Sequence, residues 1–78
     1  MKTLIDNVAR FPAQTLNNFR SAPVLLRDES VETLRKIAQI WTREGLRARV
    51  LELAEMDGIT PSIKAVLMRA CVVNRTVH

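Results

Sequence analysis

The proline-free segment from Asp28 to Asp57 constrains the fold more than any other part of the chain. In its first half, apolar residues recur at intervals of three and four, which is the spacing of one face of an α-helix. These residues are Val31, Leu34, Ile37, Ala38 and Trp41. Asp28 or Ser30 is suited to cap the start of this helix, and the helix dipole favours acidic residues in its first turn. The pattern therefore predicts an amphipathic helix that begins near residue 30.

Gly45 interrupts this segment, and the apolar pattern changes direction after it. Leu46, Val50, Leu53 and Ala54 form a stripe rotated by roughly 130° from the first one, at about 100° per residue. Either the helix breaks near Gly45, or one helix continues and is covered on two sides. We expect a break or kink, because glycine costs about 1 kcal/mol inside a helix.

The composition favours one small all-α domain over residues 1–78. The chain has only two glycines, and its β-branched residues do not alternate as they would in strands. We expect three main helices, short N-terminal helical turns and a helical hairpin in the C-terminal half. The core is expected to be aliphatic around Trp41, Phe11 and Phe19, and its expected members include Leu34, Trp41, Leu53, Ile63 and Leu67.

The N-terminal segment predicts two short helical pieces, one from Thr3 to about Arg10 and one from Pro12 to Phe19. Proline suits the first position of a helix, which supports the second start. An apolar connector, residues 24–26, follows. These pieces either cover the core of the long helix, which we favour, or form a detachable arm that packs on a partner. Their apolar side is expected to consist of Leu4, Ile5, Val8 and Phe11.

The charge distribution is uneven, with a net charge of +4. Residues 28–57 hold seven of the eight acidic residues, whereas residues 58–78 carry Lys64, Arg69 and Arg75 and no acid. One interpretation is an ordinary solvated surface, in which arginine stems cover apolar side chains. The other is a basic face that binds double-stranded DNA or an acidic partner protein.

The residues that support chemistry are scarce, so we expect no enzyme activity, metal or cofactor. Cys71 is the only cysteine and falls on an apolar helical face, where a small buried residue is expected. A zinc site is not expected from Cys71 and His78 alone. The apolar run at residues 66–73 is too short to span a membrane. A single cysteine also fits a reducing compartment, so we expect a cytoplasmic protein.

Residues 56–61 read as a tight connection between two helices. Gly58 suits the left-handed conformation that follows a helix end, and Thr60 and Pro61 suit the cap and first position of the next helix. That helix is expected to run from Pro61 to about Asn74. Its apolar side comprises Ile63, Val66, Leu67, Ala70 and Val73.

This hairpin resembles a DNA-binding helix-turn-helix over residues 50–69. Ala54, Gly58, Ile59 and Leu67 match the small, glycine and apolar positions of that pattern. Asp57 and Lys64 occupy positions that are usually apolar, which indicates a different crossing angle or a simple helical hairpin. The resemblance implies that the residues facing the major groove are drawn from Ser62, Lys64, Ala65, Met68 and Arg69.

Two functions follow from these patterns. The first is a small DNA-binding transcriptional regulator of the helix-turn-helix kind, which we place narrowly first. The second is a protein-binding adaptor or inhibitor that acts through an apolar helix face. Ile40, Leu51 and Val72 lie off the main stripes, and together they predict a partner-binding patch, either for a homodimer or for a heteromeric complex.

Overall fold

A computed structural model describes the backbone of residues 3–76 and the side chains of residues 3–72. Within those limits the secondary structure is helical and contains no strand, so the all-α prediction is confirmed. The helices are α1 Leu4–Arg10, α2 Pro12–Ser21, a 3₁₀ helix Pro23–Asp28, α3 Val31–Arg43, α4 Arg47–Ala54 and α5 Pro61–Thr76.

The N-terminal helices begin where the sequence predicts. Thr3 and Asp6 form a reciprocal capping box at the start of α1. Phe11 ends α1 and precedes Pro12, which occupies the first position of α2. The apolar connector 24–26 is part of the 3₁₀ helix.

The break at Gly45 is confirmed and has a defined hydrogen-bond pattern. The N–H of Gly45 donates to the carbonyl of Thr42 at 3.2 Å, and that of Leu46 donates to Trp41 at 3.1 Å. These two bonds form a Schellman motif, in which the residue after the helix cap adopts the left-handed conformation. Gly45 supplies it with a φ of +81°. The chain therefore turns at Gly45, and the two apolar stripes belong to two separate helices, α3 and α4.

The α4–α5 connection uses the residues that the sequence predicts, although it is longer than expected. Gly58 has a φ of +94°, and the Thr60 hydroxyl accepts a hydrogen bond from the Ile63 N–H at 3.3 Å. Because α4 ends at Ala54, the connection spans residues 55–60 and exceeds the three or four residues of a helix-turn-helix. The hairpin therefore has a looser turn than the resemblance implies.

The core is built around the interface between α3 and α5, with α4, α1 and α2 packed around it. Trp41 is fully buried at its centre and meets the Phe19 ring edge-on, with ring centroids 5.9 Å apart. Its indole N–H donates to the hydroxyl of Thr15 at 3.2 Å. The expected core members are all buried, namely Leu34, Trp41, Leu53, Ile63 and Leu67.

Phe11 was expected in the core and Val31 on the apolar side of α3, and both are exposed. Phe11 is 54% exposed, because the chain leaves helical geometry there (φ −133°, ψ 64°) and no longer continues the face of Val8. Val31 is 50% exposed at the first residue of α3. Helical spacing predicts a shared face only while the helix continues and a partner element covers it.

Candidate nucleic-acid interface

The helix α5 buries one side against α3 and α4 and presents the other side to solvent. Its inward residues are Ile63, Leu67, Ala70 and Cys71. Four of the residues predicted to face DNA are exposed on the outward side: Ser62, Ala65, Met68 and Arg69. Val73 and Arg75 also belong to α5, but their side chains lie outside the described residues.

Lys64 differs from the other predicted contact residues, because it is half-buried and paired. Its ammonium lies 3.4 Å from the carboxylate of Glu55, which belongs to the α4–α5 connection. Both side chains keep much of their exposure, 44% and 65% respectively. An exposed pair of this kind contributes about 0–1 kcal/mol, so an incoming phosphate can compete for the lysine.

A groove of about 400 Å³ runs between α3 and α5 beside this outward side. Its rim carries Arg35 and Gln39 from α3 and Arg69 from α5. Small apolar residues line the rest of it, namely Ala65, Val66 and Ala70. Two of the five predicted contact residues, Ala65 and Arg69, therefore lie in one groove, while Ser62 lines a neighbouring one near the start of α5.

The two arginines of this groove differ from Arg20 and Lys64 in their pairing. Neither guanidinium has an ion-pair or hydrogen-bond partner among the side chains of residues 3–72. Arg20, by contrast, lies 2.7 Å from the Glu52 carboxylate. Because no acidic side chain lines the groove, it presents concentrated positive charge beside an apolar surface.

Arg35 and Gln39 were missed by the sequence analysis. They lie one turn apart on α3, next to the buried Leu34 and Ala38, and so they flank the stripe that packs on α5. That flanking position was a usable signal, since residues beside a buried stripe border the partner helix. The partner helix itself was not evident from the spacing within α3.

The residues predicted to bind a protein partner do not form one exposed patch. Ile40 and Leu51 are half-buried and pack against the core, whereas Val72 on α5 is 58% exposed. A different apolar surface is present at the N-terminal end, where Phe11 and Leu25 border a groove of about 580 Å³. Amide side chains and other apolar residues complete its lining: Leu4, Asn7, Gln14, Thr15, Asn18 and Phe19.

Cys71 is buried, as its position in the sequence predicts. Burial raises the pKa of the Cys71 thiol, and the nearby positive charge of Arg47 opposes that rise only in part. The sulfur lies 3.9 Å from the Arg47 carbonyl oxygen. A thiol in this environment stays protonated at neutral pH, so it behaves as a packing residue and not as a nucleophile.

The described residues contain no group of three or more side chains with the histidine, cysteine or carboxylate ligands suited to a metal ion. None of the helices, over their described lengths, has the length and apolar character required to cross a bilayer. Functional interpretation therefore rests on the surfaces described above.

Comparison with known proteins adds no further constraint on these surfaces. No protein-family model matches this chain, and neither a curated protein nor a solved structure matches it.

Proposed function

We propose that this protein is a small, non-enzymatic regulator that binds double-stranded DNA through the outward side of α5. The observation that supports this function is the character of that side. It carries Arg69, whose guanidinium has no partner among the described side chains, beside the small side chains of Ser62 and Ala65, and the sequence has no acidic residue after Asp57. A helix with small outward residues can approach the edges of base pairs closely.

The chemistry of these residues assigns each one a role in the proposed complex. Arg69 donates to a phosphate or to the acceptor edge of guanine. Ala65 and Met68 make apolar contacts with a thymine methyl group, and Ser62 donates to a phosphate near the start of α5. Lys64 exchanges Glu55 for a phosphate when DNA arrives. Because the set has few base-reading side chains, phosphate contacts supply most of the binding energy.

The first test measures the affinity for a fluorescently labelled mixed-sequence duplex by anisotropy at two salt concentrations. We expect affinity to fall steeply as salt rises, because each neutralised phosphate releases counterions. Arg69→Ala should weaken binding and lower the magnitude of the salt slope by about one. Arg43→Ala is the matched control, since Arg43 is an exposed arginine of α3 that does not line the groove.

Two results would contradict this function. One is an absence of duplex binding by the wild type at low salt. The other is an equal loss of affinity in Arg69→Ala and Arg43→Ala, which would indicate a diffuse charge effect. Trp41 fluorescence checks that each variant is folded, since Trp41 is fully buried and both arginines are exposed.

The Lys64–Glu55 pair provides a second test with the opposite sign. Glu55→Gln removes the carboxylate that holds Lys64, so DNA affinity should rise if Lys64 contacts a phosphate. Lys64→Ala should weaken binding, and Glu55→Gln should have no further effect in that background. An equal gain from Glu55→Gln with and without Lys64 would show that only the overall charge matters.

Protein binding is the second candidate function, and the groove beside Phe11 and Leu25 favours it. Both side chains are about half exposed, and no charged residue lines the groove. Self-association through this surface would give a dimer in light scattering, and Phe11→Ser would dissociate it. A wild-type protein that is monomeric and binds duplex DNA would support the regulator function. It would also exclude self-association through the groove beside Phe11 and Leu25.

A further inference from the structure

We infer that the groove between α3 and α5 is a phosphate clamp, in which Arg35 and Arg69 together hold one backbone phosphate of the bound duplex. This inference deepens the proposed function and rests on it for the identity of the ligand. It adds α3 to an interface that the sequence analysis confined to α5, and it assigns roles to Arg35 and Gln39.

Residues of two helices, α3 and α5, border the groove. Arg35 and Gln39 are four residues apart on α3, and Ala65 and Arg69 are four residues apart on α5, so each pair forms a ladder on one helical face. Both ladders border the same groove of about 400 Å³. Two arginines and one glutamine therefore line a single space from two helices.

Arg35 and Arg69 have no carboxylate partner among the described side chains. The acids Glu52 and Glu55 pair with Arg20 and Lys64, and no carboxylate within the described part of the chain pairs with Arg35 or Arg69. Glu32 lies three residues before Arg35 on an exposed position without forming an ion pair to it. Two cations that border one groove and have no carboxylate partner among the described side chains favour a bound anion.

The side chains that line the groove suit a phosphate group. A guanidinium offers parallel N–H donors that match two oxygens of a phosphate, whereas an ammonium acts as a point charge. The walls are formed by Ala65, Val66 and Ala70, which offer no competing hydrogen bonds and leave room beside the arginines. The carboxamide of Gln39 can donate to a further phosphate oxygen.

The test uses duplex affinity with substitutions of graded severity. Arg35→Ala should weaken binding about tenfold or more, as expected for a lost charge-assisted hydrogen bond. Arg35→Lys keeps the charge but loses the paired donors, so it should still weaken duplex binding by much of the same factor. Arg43→Lys should have little effect on duplex binding. Arg35→Ala and Arg69→Ala combined should weaken binding by less than the product of the single effects, because one phosphate loses both donors.

A steric and electrostatic block gives an independent measurement. Ala65→Glu places a carboxylate inside the groove, and Ala13→Glu adds the same charge on an exposed position of α2. Ala65→Glu should abolish most of the duplex affinity, whereas Ala13→Glu should cause only a small change. Equal effects of the two variants would overturn both the clamp and the proposed contact of Ala65 with DNA.

An NMR experiment separates failure of the clamp from failure of the proposed function. The arginine Nε–Hε signals are followed during titration with duplex DNA and, separately, with inorganic phosphate. Shifts confined to Arg35 and Arg69 support the clamp. If the duplex binds while Arg35→Ala behaves like Arg43→Ala, the clamp is overturned and the DNA-binding function stands.

The opposite result is equally distinct. If the duplex does not bind but inorganic phosphate shifts the Arg35 and Arg69 signals and Arg35→Ala removes that shift, the groove is a phosphate site and the DNA-binding function fails. If the duplex does not bind and inorganic phosphate does not move these signals, both the clamp and the proposed function fail.

Discussion

The hydrogen bond between Trp41 and Thr15 ties α3 to α2 and predicts a specific effect of Thr15→Val. The Thr15 hydroxyl donates its single proton to a backbone carbonyl of its own segment, either Phe11 at 2.8 Å or Pro12 at 3.0 Å. Its lone pair accepts the indole N–H of Trp41 at 3.2 Å. Valine has nearly the same shape, so Thr15→Val removes this acceptor without opening a cavity.

The free-energy cost of Thr15→Val is set by the indole N–H of Trp41, which loses its acceptor. The indole N–H stays buried without a partner, whereas among the described side chains no buried nitrogen or oxygen atom lacks a hydrogen bond in the wild type. Leaving such a donor unpaired costs about 1–3 kcal/mol. A chain of 78 residues has a total stability of roughly 4–12 kcal/mol, at about 0.05–0.15 kcal/mol per residue. Thr15→Val should therefore remove a substantial fraction of the stability.

Urea unfolding followed by circular dichroism measures this free energy and does not depend on the tryptophan signal. Thr15→Ser retains the acceptor and loses one methyl group, so it should cost only about 0.8 kcal/mol. In a Trp41→Phe background the donor is absent, and Thr15→Val should cost less than it does in the wild type. A Thr15→Val variant as stable as the wild type, or one with the same cost in both backgrounds, would refute the reasoning.

Four other outcomes follow from the structure. Trp41→Ala should destabilise the protein by about 3–5 kcal/mol, measured by thermal unfolding, because it empties a fully buried site. Gly45→Ala should destabilise the protein by about 1–2 kcal/mol through the φ of +81° alone, because a Cβ at this position would meet no atom within 4 Å. A neutral effect of Gly45→Ala would count against the Schellman turn. Cys71 should resist alkylation at neutral pH until the chain unfolds. Since its pKa is raised in the folded state, its stabilising contribution should be present below about pH 8.5, the ordinary thiol pKa, and be lost as pH rises through the raised value.

The turns and caps were predictable because their signals are local. A glycine followed by a change in apolar direction marked the end of α3, and the sequence of Gly58, Thr60 and Pro61 marked the start of α5. Each of these residues has a conformational or capping preference that acts within a few positions. The core members followed for the same reason, because helical spacing identifies the buried face of a continuous helix.

The errors arose where a local pattern depended on a distant contact. Phe11 continued the spacing of Val8, yet the backbone leaves the helix at Phe11 and turns its side chain to solvent. Ile40 and Leu51 lay off the expected stripes, yet they pack against the core because several helices cover α3 and α4. Lys64 stays a predicted contact residue, although the longer connection after α4 brings Glu55 to it, a pairing that the sequence did not indicate.

The candidate groove shows why net charge alone is a poor guide to a binding surface. The value of +4 describes the whole chain, but the structure places Glu52 beside Arg20 and Glu55 beside Lys64. These internal pairs reduce the positive charge available at Arg20 and Lys64, whereas Arg35 and Arg69 of the α3–α5 groove have no carboxylate partner among the described side chains. An anionic ligand displaces no described carboxylate in this groove, whereas at Arg20 or Lys64 it must compete with Glu52 or Glu55. For the same reason, replacing both groove arginines by alanine should lower DNA affinity more than replacing both Arg20 and Lys64 by alanine. Each double substitution removes the same formal charge.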